Sequence, residues 1–285
     1  MVHFVELLPA VLYFATPLIL AALGELIVER AGVVNIGIEG MMLAGALGGW
    51  AADAWHGPVA GIIAAIVAAM ILALPFALAT LVFAADQIVT GTGINLLALG
   101  LTGMIYKLIP PEMANRVVGI DVKWLIILTP CIAMLIWIYL RFTRAGLELT
   151  AIGEAPQAAD TAGIPIQRRK FRAILFGAAC AGLAGAYLSI MYNRSFTENM
   201  TDGIGFLALA MVIFGRWNPG GIVAAGLFFG LVRALANQLE TRNGISPAAL
   251  RMFGMLPYVV SLATLAGVAG KSGSPAALGK AYQRE

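Results

Sequence analysis

Six stretches of this chain, residues 7–24, 59–85, 87–106, 124–140, 173–193 and 252–270, contain no Asp, Glu, Lys or Arg. Each is long enough to cross a hydrocarbon layer about 30 Å thick as a helix. The runs are continuous rather than alternating in segments of roughly ten residues, which excludes strands as the spanning elements. Composition points the same way, with 60% hydrophobic residues against 12% charged, which leaves too little polar surface for a water-soluble domain. The expected fold is all-α: one polytopic transmembrane helical bundle over 1–285, with about 8–10 helices including broken or re-entrant segments.

Orientation comes from the basic residues. Arg141, Arg144, Arg168, Arg169, Lys170 and Arg172 crowd into 32 residues, and the positive-inside rule makes that loop, 142–170, cytoplasmic. Counting outward predicts helices near 8–28, 34–52, 59–84, 88–107, 124–141, 171–192, 203–216, 221–240 and 253–270. The N-terminus then lies outside as a retained first span, and the opposite orientation stays open because the short loops are weakly biased. Cys131 and Cys180 both fall in apolar runs and read as small core residues.

Two segments differ from plain lipid-facing helices. Residues 31–49 combine Asn35 and Glu39 with six glycines, and backbone freed by glycine at membrane depth must be buried in protein or line a cavity. Gly203-Ile-Gly-Phe-Leu-Ala-Leu209 is short and echoes Gly93-Ile-Asn-Leu-Leu-Ala-Leu99. The two run in opposite directions on this count, as an inverted repeat or a chance match would.

Catalysis finds no footing. The two histidines, His3 and His56, build neither a triad nor a multi-histidine metal site. Gly270-Lys271-Ser272 looks like the end of a P-loop, but Leu265 stands where that pattern needs glycine, so the chain is expected to hydrolyse no ATP itself. Inside the basic loop, Pro156 to Ala162 has the makings of a short helix, with proline in its first turn and Gly163 as its stop. It is either a docking element or part of a solvated loop.

Four segments, Glu29-Arg-Ala-Gly-Val-Val-Asn-Ile-Gly-Ile-Glu-Gly-Met42, Gln87-Ile-Val-Thr-Gly-Thr-Gly-Ile-Asn-Leu-Leu-Ala-Leu-Gly100, Gly153-Glu-Ala-Pro-Gln-Ala-Ala-Asp-Thr-Ala-Gly163 and Ala208-Leu-Ala-Met-Val-Ile-Phe-Gly-Arg-Trp-Asn-Pro-Gly220, resemble permease subunits of ABC importers. The likeness runs in order through roughly residues 10–270. It is to the ribose, branched-chain amino acid and nucleoside branch, with the first motif most similar to nucleoside or simple-sugar members. The resemblance implies a multi-pass protein of the bacterial cytoplasmic (inner) membrane that binds no cofactor and no nucleic acid. It also implies a separate ATPase subunit using ATP and Mg, a second and different permease chain, and an extracytoplasmic solute-binding protein. A coupling helix near 153–163 would dock on the ATPase through Gly153, Glu154, Ala155, Pro156, Gln157, Ala158, Ala159, Asp160 and Gly163. The function implied is the translocation path for a nucleoside or a related purine or sugar compound. The competing readings are the same role for simple sugars or branched-chain amino acids, and an ion- or proton-coupled carrier working through Glu39 or Glu25.

The remaining polar residues carry two readings each. Asn35, Glu39 and Asn95 lie within spans, where a polar group either lines the translocation path or binds helices together. Glu25, Glu29 and Arg30 close the first span as an ion-pair cluster or a gate. Trp217 suits the membrane interface beside a Pro219-Gly220 turn, and Arg233 suits snorkelling. The outer loops, 108–123 and 193–202, are candidate contacts for a binding protein.

Overall fold

The computed structural model describes residues 4–110, 112, 116–240, 255, 259 and 273–282. Its described elements are helical. They are α1 (Phe4–Arg30), α2 (Ile38–His56), α3 (Pro58–Ala77), α4 (Gln87–Leu108), α5 (Lys123–Phe142), α6 (Arg144–Glu154), α7 (Pro156–Thr161), α8 (Ile166–Ala186), α9 (Ile204–Phe214) and α10 (Pro219–Glu240). A π-helical turn extends α3 through Leu78–Val82 and another extends α8 through Tyr187–Tyr192. Six helices among the described residues are long and apolar enough to cross a membrane. The expected span 253–270 lies outside the described residues apart from Met255 and Val259.

Local chemistry sets the boundaries. Asp86 caps α4 by accepting from the N–H groups of Ile88 and Val89, each at 2.9 Å, and Thr143 caps α6 by accepting from Gly146 N–H at 3.0 Å. Pro58, Pro156 and Pro219 open their helices, where a missing N–H costs nothing. Pro219 therefore starts a helix instead of making the expected turn. The bend precedes it, at Arg216 and Trp217, with φ of 53° and 52°.

α1, α2 and α8 form the centre, and α3, α4, α5 and α10 surround it. The most apolar window of α1 is 83% buried and that of α8 78%, against 28% for α4 and 22% for α5. The surrounding helices turn Ile63, Val67, Leu96, Ile127 and Leu135 outward, as a lipid-facing surface requires. Cys180 is buried in α8 as expected, but Cys131 is exposed, because α5 is peripheral and Cys131 points away from the bundle.

Glycine lets the central helices touch. A Cβ on Gly182 of α8 would stand 2.5 Å from the Ala65 carbonyl oxygen in α3, and one on Gly185 would stand 2.1 Å from that of Met42 in α2. One on Gly24 of α1 would meet Cys180 Cβ at 2.6 Å. Small-residue contacts of this kind replace the hydrophobic driving force that lipid removes.

The basic residues mark one end of the bundle. There, α1 finishes at Arg30, α6 and α7 lie between α5 and α8, and residues 273–282 form a strap. In the strap, Ala277 N–H donates to the Gly153 carbonyl at 2.9 Å, Gly279 N–H to that of Gly32 at 3.3 Å, and Tyr282 hydroxyl to Asp160 Oδ2 at 3.0 Å. The opposite end carries the Lys107–Glu198 ion pair (3.4 Å) and Asp53, whose Oδ2 accepts from Gly119 N–H at 2.9 Å.

Candidate functional site

The chain is broken twice inside the bundle, and the breaks meet. Residues 31–37 leave the end of α1 without regular structure before α2 begins, and residues 193–203 descend from the opposite end before α9 begins. α9 thus starts within the bundle with the N–H groups of its first turn lacking helical partners. Glu39, in the first turn of α2, supplies them. Gly203 N–H donates to Glu39 Oε1 at 2.9 Å and Gly205 N–H to Oε2 at 2.6 Å. A carboxylate also matches the positive end of α9. The approach needs glycine: Gly203 has φ of 84°, and a Cβ on Gly205 would lie 2.7 Å from Glu39 Cα.

The other break is held from α4 and α1. Asn95 accepts from Gly40 N–H at 2.8 Å and donates through Nδ2 to the Ile36 carbonyl at 3.0 Å. Gln87 accepts from Val34 N–H at 2.8 Å, and Glu25 Oε1 accepts from Asn35 N–H at 2.9 Å. The Asn35 side chain is fully buried, with Nδ2 3.3 Å from Met41 Sδ and Oδ1 lacking a hydrogen-bond partner. The echoing segments therefore grip the same point, α4 through Asn95 on Gly40 and α9 through Gly203 and Gly205 on Glu39. They run in opposite directions along the bundle.

Glu29 and Arg30 converge on Trp217 instead of pairing. Arg30 donates to the Trp217 carbonyl from Nε at 3.2 Å and Nη2 at 2.6 Å, and the Trp217 indole N–H donates to Glu29 Oε2. No ion pair joins Glu25, Glu29 and Arg30 among the described residues. Trp217, expected at the interface, is 3% exposed, because the positive-φ bend turns it inward onto α1.

Residues 153–163 form the tip of the basic end. Gly153 is packed so closely on α1 that a Cβ would lie 2.3 Å from the Arg30 carbonyl oxygen. Ala159 is buried against Ile152 and Ile166, while Glu154, Ala155, Gln157 and Ala158 are exposed and Pro156 and Asp160 half-buried. Gly163, at φ of 79°, follows the helix. α6, which leads into this segment, was not anticipated.

Sequence reading also missed a cavity of about 210 Å³ at the opposite end, between α1, the turn after α8, α9 and α10. Tyr13, Phe14, Tyr187, Tyr192, Asn193 and Arg233 line it. Tyr187 and Tyr192 are nearly parallel, 11° apart, because the π-helical turn brings positions five apart toward one face. In a regular α-helix that spacing points away, which hid the pair. Arg233, explained by snorkelling, reaches this cavity.

If Asn95 acts only by holding the break, Asn95→Leu leaves a donor and an acceptor unpaired. Assembly should then fall while uptake per assembled transporter stays normal. Reduced uptake per assembled transporter assigns Asn95 to the path itself.

Known proteins are similar in sequence to this chain over nearly its full length. The chain is 34% identical to the guanosine ABC transporter permease protein NupQ of Bacillus subtilis, over 97% of this chain and 96% of that one. It is 33% identical to the putative glucose ABC transporter permease protein TsgC13 of Haloferax volcanii, over 98% of each. The nucleoside ABC transporter permease protein NupC of Lactococcus lactis is 32% identical, over 95% of this chain and 94% of that one. Residues 7–265 match the family model for the permease component of branched-chain amino acid transport systems. A multi-pass bundle whose two interrupted helices meet at its centre is thus a transport subunit, and the chain belongs to that permease family.

Proposed function

We propose that this permease carries nucleosides, or related purine or sugar compounds, across a bacterial inner membrane as part of an ABC importer. The observation that carries the reading is the meeting of two discontinuous helices at Glu39 and Gly203. Interrupted helices near the midplane are where transporters build solute paths. Asn35, Glu39 and Asn95 shape that path by fixing the backbone around it. The substrate class follows the relatives named for guanosine and nucleosides, and the aromatic cavity with Arg233 suits a ring-bearing polar solute.

The basic end is cytoplasmic on this reading. Residues 153–163, with Gln157 and Ala158 exposed, dock on a separate ATPase that uses ATP and Mg, and this chain binds no cofactor. The strap and the Gly153 contact then carry movement of α7 to the break after α1. A second permease sits on α4, whose Gly93 and Gly100 face open space, as close helix contacts in membranes require. A solute-binding protein delivers from the opposite end. Of the two carboxylates an ion-coupled carrier could use, Glu39 is engaged by two backbone N–H groups. Glu25 gives one oxygen to Asn35 N–H and keeps Oε2 buried without a hydrogen-bond partner among the described residues, so the ATP dependence of uptake decides between the two readings.

Proteoliposomes holding this chain with its ATPase and second permease should take up labelled guanosine only with ATP and binding protein, in competition with other nucleosides. Uptake of leucine in its place overturns the substrate, and uptake driven by a proton gradient without ATP overturns the importer.

A further inference from the structure

We propose that a crevice between α5 and α8 at the basic end holds an anionic phospholipid of the cytoplasmic leaflet. One acyl chain lies on its apolar floor, and the phosphate sits at Arg169 and Arg172. The crevice has a volume of about 440 Å³, with Ile27 of α1, Ile136 of α5 and Ala173 of α8 among its lining. It opens past Leu135, 64% exposed, and Phe176, 40% exposed, on two helices long enough to span the membrane. The medium at that depth is hydrocarbon, so an acyl chain fills the crevice where water would be expelled.

Charge decides which lipid. Arg169 pairs with Glu148 through Nη2, while its Nε is buried without a hydrogen-bond partner. Arg172 is exposed and forms no ion pair among the described residues. One carboxylate, paired with Arg169, thus stands against two guanidinium groups, and the mouth keeps a positive charge at the level of the head groups. Guanidinium binds phosphate through paired donors, so a phosphate diester completes the site. The run Arg168-Arg-Lys-Phe-Arg172 serves both flanks of α8. Arg168 lines a second apolar groove beside Leu78 and Phe171, whereas Lys170 turns inward and is buried. Basic side chains at the cytoplasmic ends of apolar grooves are the setting in which anionic head groups are held. The leaflet follows from the orientation proposed above, but the site is independent of the solute carried.

The test uses the assembled transporter, equilibrated with equal amounts of phosphatidylglycerol and phosphatidylcholine and examined by native mass spectrometry. The wild type should retain phosphatidylglycerol in excess. Arg172→Gln, at an exposed position without an ion pair, should lower that retention about fivefold, the worth of one basic side chain at an anionic surface. Leu135→Trp, which fills the crevice, should lower it without touching the charge. Equal retention of both lipids by the wild type, or wild-type retention of phosphatidylglycerol by both variants, overturns the site. So does a photoreactive residue at Phe176 that crosslinks to another protein chain in place of lipid.

Discussion

Glu39→Ala is expected to lower the stability of the purified protein by about 2–6 kcal/mol, from two buried backbone N–H groups left without acceptors at about 1–3 kcal/mol each. Those donors belong to Gly203 and Gly205, and the structure shows no other acceptor for either among the described residues, Glu39 itself being only 8% exposed. Glu39→Gln keeps one acceptor and should fall between wild type and alanine. Thermal unfolding in detergent, followed together with the yield of monodisperse protein, measures both. An alanine variant that melts with the wild type would mean that α9 finds its cap elsewhere.

Gly182→Val should be more damaging still. Its Cβ would stand 2.5 Å from the Ala65 carbonyl oxygen and 2.9 Å from Ala69 Cβ, and a Cβ on the facing Gly45 would lie 2.6 Å from Gly182 Cα. Overpacking in an adaptable core costs about 1–3 kcal/mol. Here the nearest obstacle is the Ala65 carbonyl of α3, which is backbone, so α8 must move away from α3 as a whole. Loss of folded protein from the membrane fraction is the expected result. Gly100→Val is the contrast, because nothing lies within 4 Å of a Cβ there. The single chain should fold normally, and on the proposed arrangement only its association with the second permease should suffer. Size-exclusion chromatography of the two variants separates packing within the chain from packing between chains.

The peripheral helices were plain in the sequence because hydrocarbon imposes one rule on them. α4 and α5 begin and end within a residue or so of the expected bounds, as an uncharged run closed by a cap or a basic residue allows. The breaks were visible as places, through the glycines around Asn35 and before Leu209, since backbone freed at that depth must be satisfied somewhere. Their partners were not visible. Glu39 finds Gly203 across 164 residues and Glu29 finds Trp217 across 188, and no local pattern encodes a contact of that range. α6 escaped because its charged residues resemble a solvated loop, although Leu149 and Ile152 share the face it buries. The parallel tyrosines escaped because their spacing has meaning only in a π-helical turn. Charge attraction suggested a Glu25, Glu29 and Arg30 cluster, but hydrogen bonds to Trp217 occupy Glu29 and Arg30 and Asn35 N–H takes Glu25.

The convergence of Glu29 and Arg30 on Trp217 has a consequence in time. Arg30 lies 187 residues ahead of its acceptor, and ribosomes add about 5–20 residues per second, so roughly 10–40 s separate the synthesis of the two. During that interval the end of α1 carries a guanidinium and a carboxylate without their Trp217 partners, while α3, α4 and α5 emerge. Water at the end of α1 serves those groups until the bend after α9 arrives. The innermost helix is thus the first to be made, and its basic end is among the last contacts to be finished.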